Sequence, residues 1–297
     1  MEENLKSESE VEELKFEEPS KACEQQSLVK DYFTVDESGK IKELANLFGQ
    51  SEAELKKEFG VFKAKKVYKK LNYFIDTRMK LNGDIIDMLN TATKYGFYGV
   101  TVYPTALPLA VSLLNGCGVK VRALVDYPSG ESSYKAVRYA LKQAVNRGAD
   151  EVLVALSCYE IKNGDEKDVF KKVRKLVKRA KTKPVSVLLD TSVLSRAEVE
   201  RVMNLLWTSG IYSVVLARQN GELDKNLAIE CAQSYGDKIN VECFDDINCS
   251  EVAVSTLLGG VNMLCSESCQ DIVLDFSKKI NACEVEDCQA LDKTSKE

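Results

Sequence analysis

The sequence predicts an α/β protein in which eight parallel strands, each followed by a helix, close into a (β/α)₈ TIM barrel with an N-terminal helical extension. Short runs of Val, Ile and Leu alternate with helical patterns from Asn72 onward, and the strand-like runs recur roughly every 20–35 residues. Continuous apolar runs are typical of strands that are buried on both faces. Eight such units favour a closed barrel over an open doubly wound sheet. The length of 297 residues is sufficient, because such barrels usually need about 250.

Strand and helix boundaries follow from local signals. The predicted strands span residues 72–76, 99–103, 120–125, 151–156, 185–190, 212–217, 239–244 and 261–265. Ser195 and Glu198 have the spacing of a capping box, in which each side chain satisfies a backbone N–H of the other residue. The Asp165 side chain is expected to cap the helix that follows it. Ser132 is expected to open the helix that ends before Gly148.

The chain divides into four predicted segments: an acidic arm over residues 1–30, N-terminal helices over 31–71, the barrel over 72–283 and a polar tail over 284–297. The first 20 residues carry eight glutamates and two lysines, with too few apolar side chains to offset the entropy of ordering. The arm is therefore predicted to be disordered. We interpret the lysine-rich run at 63–70 as a solvated helix face, and a helix-turn-helix over 41–59 is the less favoured alternative.

The charge balance argues against two classes of partner. A formal net charge of −5 is unlike that of a general nucleic-acid binder, whose affinity comes largely from neutralising phosphates. No apolar run reaches the roughly 18 residues of a membrane span, and the acidic N-terminus lacks the apolar core of a signal peptide. We therefore expect a cytoplasmic protein that binds neither nucleic acid nor membrane. An unidentified small molecule is the expected partner, and a homodimer is left open.

The chain has ten cysteines and no histidine. In a chain of this length without an export signal, the cysteines are expected to be reduced thiols. The absence of histidine excludes Ser-His-Asp and Cys-His catalysis and every histidine metal site. Acid–base chemistry would have to use Asp, Glu, Lys, Tyr, Cys or water.

Five segments, in the same order and at similar spacing, resemble motifs of the deoxyribose-phosphate aldolase family. They are 75–80 (IDTRMK), 95–121, 127–130 (YPSG), 148–165 and 189–195 (LDTSVLS). The resemblance extends from about Asn72 to Glu267, which is nearly the whole predicted barrel. It implies a TIM barrel whose relatives are lyases that cleave a sugar phosphate through a Schiff base.

The residues that the family uses for this chemistry are replaced in this sequence. The resemblance implies a nucleophilic lysine on strand six, a second lysine on strand seven that lowers its pKa, and an aspartate on strand four that relays protons. The matching positions are Val215, Glu242 and Leu153, and predicted strands four to eight contain no lysine. We therefore predict a barrel without Schiff-base aldolase activity.

The family's phosphate site is also expected to be lost. The resemblance implies glycine-rich backbone after the last three strands, where bare N–H groups attract an anion. Here Asp245 and Asp246 stand in place of paired glycines. A like charge about 4 Å from a phosphate costs on the order of 4 kcal/mol at an effective dielectric of 20. We expect no tight binding of a sugar phosphate.

Function in a barrel of this type lies at the carboxyl ends of the strands. The candidate binding residues at this end are Asp76, Asp126, Ser157, Asp190, Arg218, Glu242 and Asp245. The favoured hypothesis is a pseudoenzyme that acts as a scaffold or binds a small molecule, with no cofactor. Each of these residues also has a structural explanation. Asp126 and Asp190 could cap the following loops, and Lys80 could be a solvated lysine.

Two further hypotheses remain open from the sequence. An active aldolase or lyase could use a displaced lysine, for which Lys80 is the candidate. The second hypothesis is a metal site made of thiolates. Its candidate ligands, which are expected near one end of the barrel, are Cys158, Cys243, Cys265 and Cys269. Buried cysteine is more often a small apolar side chain than a metal ligand.

Overall fold

The structure is a computed structural model that describes residues 52–78, 80–217 and 225–280, with the side chains of 52–59 and 225 outside that description. Two of the predicted segments, the arm over 1–30 and the tail over 284–297, lie outside the described residues. So do residues 31–51 of the predicted N-terminal helices.

Eight parallel strands close in chain order into a barrel, which confirms the predicted fold. The strands are β1 (Leu71–Ile75), β2 (Gly99–Val102), β3 (Lys120–Val125), β4 (Glu151–Ala155), β5 (Val185–Asp190), β6 (Ser213–Ala217), β7 (Asn240–Phe244) and β8 (Met263–Ser266). Closure is made by β8 against β1, where Asn72 lies opposite Cys265. Each strand therefore differs from its predicted bounds by no more than two residues.

Helices cover the outside of the barrel. They are α1 (Glu52–Tyr68), α2 (Asn82–Tyr95), α3 (Leu107–Leu114), α4 (Tyr134–Asn146), α5 (Cys158–Lys162), α6 (Glu166–Ala180), α7 (Arg196–Leu206), α8 (Lys225–Tyr235), α9 (Ser250–Leu258) and α10 (269–280). Helix α1 precedes the barrel, and its Tyr68 ring packs edge-on against Tyr95, Phe97 and Phe276. None of the described helices is both long enough and apolar enough to cross a bilayer.

The helix caps agree with the sequence in one place and differ in two. At α7 the Ser195 hydroxyl accepts from the Glu198 N–H at 3.4 Å, and the Glu198 carboxylate accepts from the Ser195 N–H at 2.7 Å, so the capping box is confirmed. Asp165 precedes α6, but its side chain makes no cap hydrogen bond because its backbone (φ −88°, ψ 23°) is not extended. Helix α4 is opened by Ser133 rather than the predicted Ser132.

Successive side chains of each strand point alternately to the helices and to the barrel interior. The outward set includes Val100, Val152, Val187 and Val214, which join the buried faces of the helices in one apolar core. The inward set forms a second cluster inside the barrel. Continuous apolar strands are thus explained by burial on both faces.

The turn between β3 and α4 constrains the mouth of the barrel at Gly130. Its φ is +69°, and its N–H donates to the carbonyl of Asp126 at 2.8 Å. A Cβ added at Gly130 would lie 2.5 Å from the carbonyl carbon and oxygen of Leu156. This close approach joins the loops after β3 and β4.

We expect Gly130→Ala to destabilise the protein more than Gly116→Ala, which is the matched control. Both glycines have positive φ, so each alanine carries about 1 kcal/mol of backbone strain. Only Gly130 adds a backbone clash, because nothing lies within 4 Å of a Cβ at Gly116. Chemical denaturation should show an extra loss of about 2 kcal/mol for Gly130→Ala. Equal losses would contradict the close approach.

Candidate functional site

The barrel interior is built in two layers. The lower layer is polar and buried, and it consists of Asn72, Thr101, Arg122, Glu151, Ser186, Ser213 and Glu242. The upper layer, toward the carboxyl ends of the strands, consists of Phe74, Leu124, Leu153, Leu188, Val215, Phe244 and Cys265. On most strands the upper residue follows the lower one by two positions, a rise of about 6.6 Å. Any ligand that entered at the mouth would therefore meet hydrocarbon first.

An ion pair crosses the lower layer from one side of the barrel to the other. Arg122 lies on β3 and Glu242 on β7, which are four strands apart in a closed order of eight. The guanidinium donates to both carboxylate oxygens of Glu242, with Nη1–Oε2 at 2.7 Å and Nη2–Oε1 at 2.9 Å. Neither side chain is exposed to solvent. The pair therefore spans the barrel in a bidentate geometry, the strongest that Arg and a carboxylate form.

Neighbouring groups complete this network. Arg122 also donates through Nε to Glu151 at 3.1 Å, and Glu151 in turn accepts from the Tyr98 hydroxyl. Ser213 donates to Glu242 Oε1 at 2.5 Å. Burial opposes the charge on Arg122, but the Glu242 and Glu151 carboxylates outweigh it and raise the pKa of the guanidinium above its ordinary value. The buried charges are thus paired, as burial requires.

The three positions that the sequence matched to family chemistry all face the interior. Leu153 and Val215 lie in the hydrocarbon layer and are 0% exposed. Glu242 lies in the polar layer below, so its expected position at the mouth is wrong. The reason is its place in the middle of β7, where an inward side chain points into the closed barrel. In the described strands the one lysine is Lys120, at the exposed start of β3.

Aromatic rings close the upper end of the interior. The Phe74 ring lies 4.9 Å from Phe244, 5.9 Å from Tyr127 and 5.9 Å from Tyr103, measured between centroids. Tyr127 stacks on Phe244 at 6.0 Å. Within the described ranges, the buried Tyr103 hydroxyl has no hydrogen-bond partner. Phe74 and Phe244 belong to the hydrocarbon layer, and Tyr103 and Tyr127 pack against it at the end where a ligand would enter.

On the β1 side of the mouth, Asp76 forms a bidentate pair with Arg78, with Nε–Oδ1 at 2.9 Å and Nη2–Oδ2 at 2.5 Å. These hydrogen bonds hold the pKa of Asp76 below its ordinary value. Lys80 is exposed to solvent, yet it lies close enough to favour the charged forms of Asp76 and Glu267. Asp76 and Lys80 therefore both lie at the mouth, and their predicted roles in binding or catalysis stay predictions.

Three other candidates make local contacts within the loops. Asp126 accepts from the Ser132 N–H at 3.1 Å, and Asp190 accepts from the N–H and hydroxyl of Ser192 at 2.8 and 2.5 Å. Ser157 accepts from the Glu160 N–H at the start of α5 and donates to Glu131 at 3.0 Å. These contacts give each residue a structural role at the rim, and its predicted role in ligand binding stays a prediction.

The described loops after β7 and β8 are acidic. Arg218 lies outside the described residues. The N–H of Asp245 donates to the carbonyl of Cys265 at 3.1 Å, and Asp246 accepts from the Ser268 hydroxyl. Desolvation, with the nearby Asp76 and Asp246 carboxylates, raises the pKa of Glu267. Burial of this carboxyl is the main cause of the raised pKa, and the two neighbouring carboxylates add to it.

The four candidate thiols point in different directions. Cys243 joins the outer core against the helices, whereas Cys265 faces the barrel interior. Burial raises the pKa of Cys265 to about 12 and that of Cys158 to about 11, and it raises that of Cys269 well above the ordinary value. Within the described ranges, no three His, Cys, Asp or Glu side chains come together in a way that could hold a metal ion.

Comparison with known proteins relates this barrel to aldolases. No protein-family model matches the chain. A deoxyribose-phosphate aldolase from Clostridium botulinum (strain ATCC 19397 / Type A) is 32% identical over 145 residues, which are 48% of this chain and 68% of the relative. The chain belongs to the deoxyribose-phosphate aldolase family. A second member, from Acholeplasma laidlawii (strain PG-8A), is 26% identical over 208 residues, or 67% of this chain and 92% of the relative.

Solved structures show the same fold. An aldolase named QR15 superposes with a TM-score of 0.67 at 19% identity, covering 72% of this chain and 96% of its own. The deoxyribose-phosphate aldolase from Aeropyrum pernix superposes with a TM-score of 0.66 at 16% identity, covering 75% of this chain and 97% of its own. The expected family and fold are thus both confirmed.

Sequence reasoning missed Arg122 and most of the aromatic cluster. A signal for Arg122 was present, because a charged residue in the apolar run KVRALV must either face solvent or find a buried partner. Phe74, Tyr127 and Phe244 carried no comparable signal, since aromatic residues are common in any barrel wall. Their convergence depends on closure of the barrel.

We expect Arg122→Met to be far more destabilising than Glu242→Met. Removing Arg122 leaves the Glu151 and Glu242 carboxylates buried without a cation, at a cost of about 3–5 kcal/mol. Removing Glu242 leaves Arg122 paired with Glu151, so we expect a loss of about 1–2 kcal/mol. Urea unfolding of both variants checks this, and equal losses would contradict the network.

The Arg122→Met variant should also respond to pH in a defined direction. A buried carboxylate without its cation has a raised pKa in the folded state, so its contribution to stability is present at low pH and is lost as the pH rises. We therefore expect the stability difference from the unmodified protein to be smaller at pH 5 than at pH 8. A difference that is the same at pH 5 and pH 8 would show that these carboxylates are hydrated in the variant and would contradict the prediction.

Proposed function

We propose that this member of the deoxyribose-phosphate aldolase family does not catalyse Schiff-base aldol chemistry and acts as a non-catalytic barrel. The proposal rests on which side chains occupy the three interior positions at which the family has its catalytic residues. Leu153 and Val215 present hydrocarbon, and Glu242 is held by Arg122. An imine requires an amine that is neutral and close to the carbonyl carbon.

Neighbouring side chains do not offer a replacement inside the barrel. Arg122 is the cation within the described interior, but a guanidinium stays protonated and is here engaged by two carboxylates. Phe74 and Phe244 of the hydrocarbon layer, with Tyr127 packed against both, occupy the space that a substrate would need. Both the nucleophile and the room for its substrate are therefore lacking among the described residues.

The mouth also disfavours a phosphate. Burial raises the pKa of Glu267, and the nearby carboxylates of Asp76 and Asp246 raise it further. A phosphate brought near this group meets like charge, and Arg78 is already paired with Asp76. We propose that any ligand of the rim is a small molecule without a phosphate group. Location in the cytoplasm and a homodimer remain parts of this proposal, and the free thiols of the described cysteines favour a reducing compartment.

The central test is a retro-aldol assay with deoxyribose 5-phosphate. We expect no formation of acetaldehyde above the rate without enzyme, while the relative from Clostridium botulinum serves as a positive control. Circular dichroism should show that the assayed sample is folded. Turnover that scales with protein concentration would overturn the proposal.

The second candidate function is an aldolase or lyase that uses Lys80. The observation that favours it is the position of Lys80 at the mouth, near Asp76 and Glu267. Against it stands exposure of the side chain, because a Schiff-base lysine needs a desolvated, neutral amine.

Borohydride trapping with an aldehyde substrate separates the two functions. We expect no more adduct at Lys80 than at Lys94, an exposed lysine on α2 that serves as the matched control. Mass-spectrometric mapping of the reduced adduct gives the measurement. A dominant adduct at Lys80 that disappears in Lys80→Gln would establish the displaced-lysine enzyme.

A further inference from the structure

Helix α6 presents a strongly basic stripe to solvent. Val169, Val173, Leu176 and Ala180 are buried against the barrel. The opposite side of the helix carries six exposed cations, Lys167, Lys171, Arg174, Lys175, Lys178 and Arg179. From Lys167 to Arg179 the stripe is about 18 Å long, at 1.5 Å per residue. The spacing of three and four residues places these charges on one side of the helix.

Helix α4 extends this stripe into a wider surface. It contributes the exposed cations Lys135, Arg138 and Lys142 and has no acidic residue. The two helices are neighbours, and the Lys175 ammonium lies 5.9 Å from the ring centroid of Tyr134 at the start of α4. We refer to these three residues and the six of α6 as the basic face.

Little negative charge opposes the basic face. Asp168 pairs with Lys171 at 2.9 Å, and Glu166 is engaged by Arg201 on α7 at 2.8 Å. In the part of the chain that the structure describes, the other cations of the face take no part in ion pairs. A locally positive surface is notable on a chain whose net charge is −5, since the balancing negative charge must lie elsewhere.

The first 20 residues of the same chain have the complementary charge. They carry eight glutamates and two lysines, the densest acidic segment of the sequence. Residues 21–51 separate this segment from α1, and 31 residues can span up to about 100 Å when extended. That reach exceeds the width of a single barrel, so the segment can arrive at any face of its own molecule. Tethering gives it an effective concentration on the order of millimolar.

We propose that residues 1–20 of this chain bind the basic face of the same molecule. The contact is electrostatic and covers α4 and α6, so it competes with other polyanions for this surface. Each exposed ion pair is weak, and the combined effect of several pairs together with tethering provides the affinity. The proposal is independent of whether the barrel is catalytic.

A zero-length carbodiimide crosslinker tests the contact in the full chain, because it joins a carboxylate to a lysine amine only when the two touch. We expect crosslinks from glutamates of residues 1–20 to Lys135, Lys142, Lys167 and Lys178, in a product that runs as a monomer. The test variant is Arg138→Gln/Arg174→Gln/Arg179→Gln, which removes three charges from the face but none of these lysines. The matched control is Lys65→Gln/Lys94→Gln/Lys278→Gln, which removes three exposed charges from α1, α2 and α10.

The yield of crosslinks should fall about five-fold in the arginine variant, the effect of three weak surface ion pairs, and remain unchanged in the control. Crosslinks spread equally over lysines outside the face, or found mainly in a dimer, would overturn the proposal.

A second experiment measures the binding of a labelled duplex RNA. At 150 mM salt we expect it to bind Glu8→Gln/Glu10→Gln/Glu12→Gln/Glu13→Gln more tightly than the unmodified chain, because the acidic segment no longer competes. Equal binding to both would show that residues 1–20 do not occupy the face. If the RNA bound tightly to the unmodified chain and not to the variant, the face would be assigned to nucleic acid and the proposal would be overturned.

Discussion

The pair between Arg122 and Glu242 is the constraint on which the barrel interior depends. It joins β3 to β7 across the closed sheet, and neither group has access to water. A charge in such a place is tolerated only when it is paired, so the two carboxylates of the network, Glu242 and Glu151, both depend on Arg122. Glu242 is also the position at which the family resemblance implies the second lysine. At this position the structure has a carboxylate that Arg122 holds through two hydrogen bonds.

The fold could be predicted from the sequence because its main determinants are local. A strand buried on both faces is a continuous apolar run, and each of the eight runs ended within two residues of the observed strand. The capping box of Ser195 and Glu198 is equally local. The match of Leu153 and Val215 to family positions followed from motif alignment, and the structure shows that both side chains face the interior.

The site could be predicted only in part, because its contacts join residues that are far apart in sequence. Arg122 and Glu242 are 120 positions apart, and their pairing follows from closure of the barrel. Glu242 was expected at the mouth because β7 ends soon after it, and the depth of a side chain depends on the stagger of the strands. Asp165 failed as a side-chain cap for a local reason, since the backbone between α5 and α6 does not extend at that residue.

The cations at the mouth of the barrel differ from those on its outer helices in whether they are free to bind an anion. Recognition of a phosphate requires unpaired positive charge or bare N–H groups at the mouth. At the described mouth Arg78 is paired with Asp76, Lys80 lies near the carboxylates of Asp76 and Glu267, and Phe74 and Phe244 are part of the hydrocarbon layer. The exposed cations of α4 and α6 lie on the outer wall, where helices rather than strand ends determine their spacing. Under the two proposals, anions are attracted to this helical surface rather than to the strand ends, and such a surface favours extended polyanions over a small sugar phosphate.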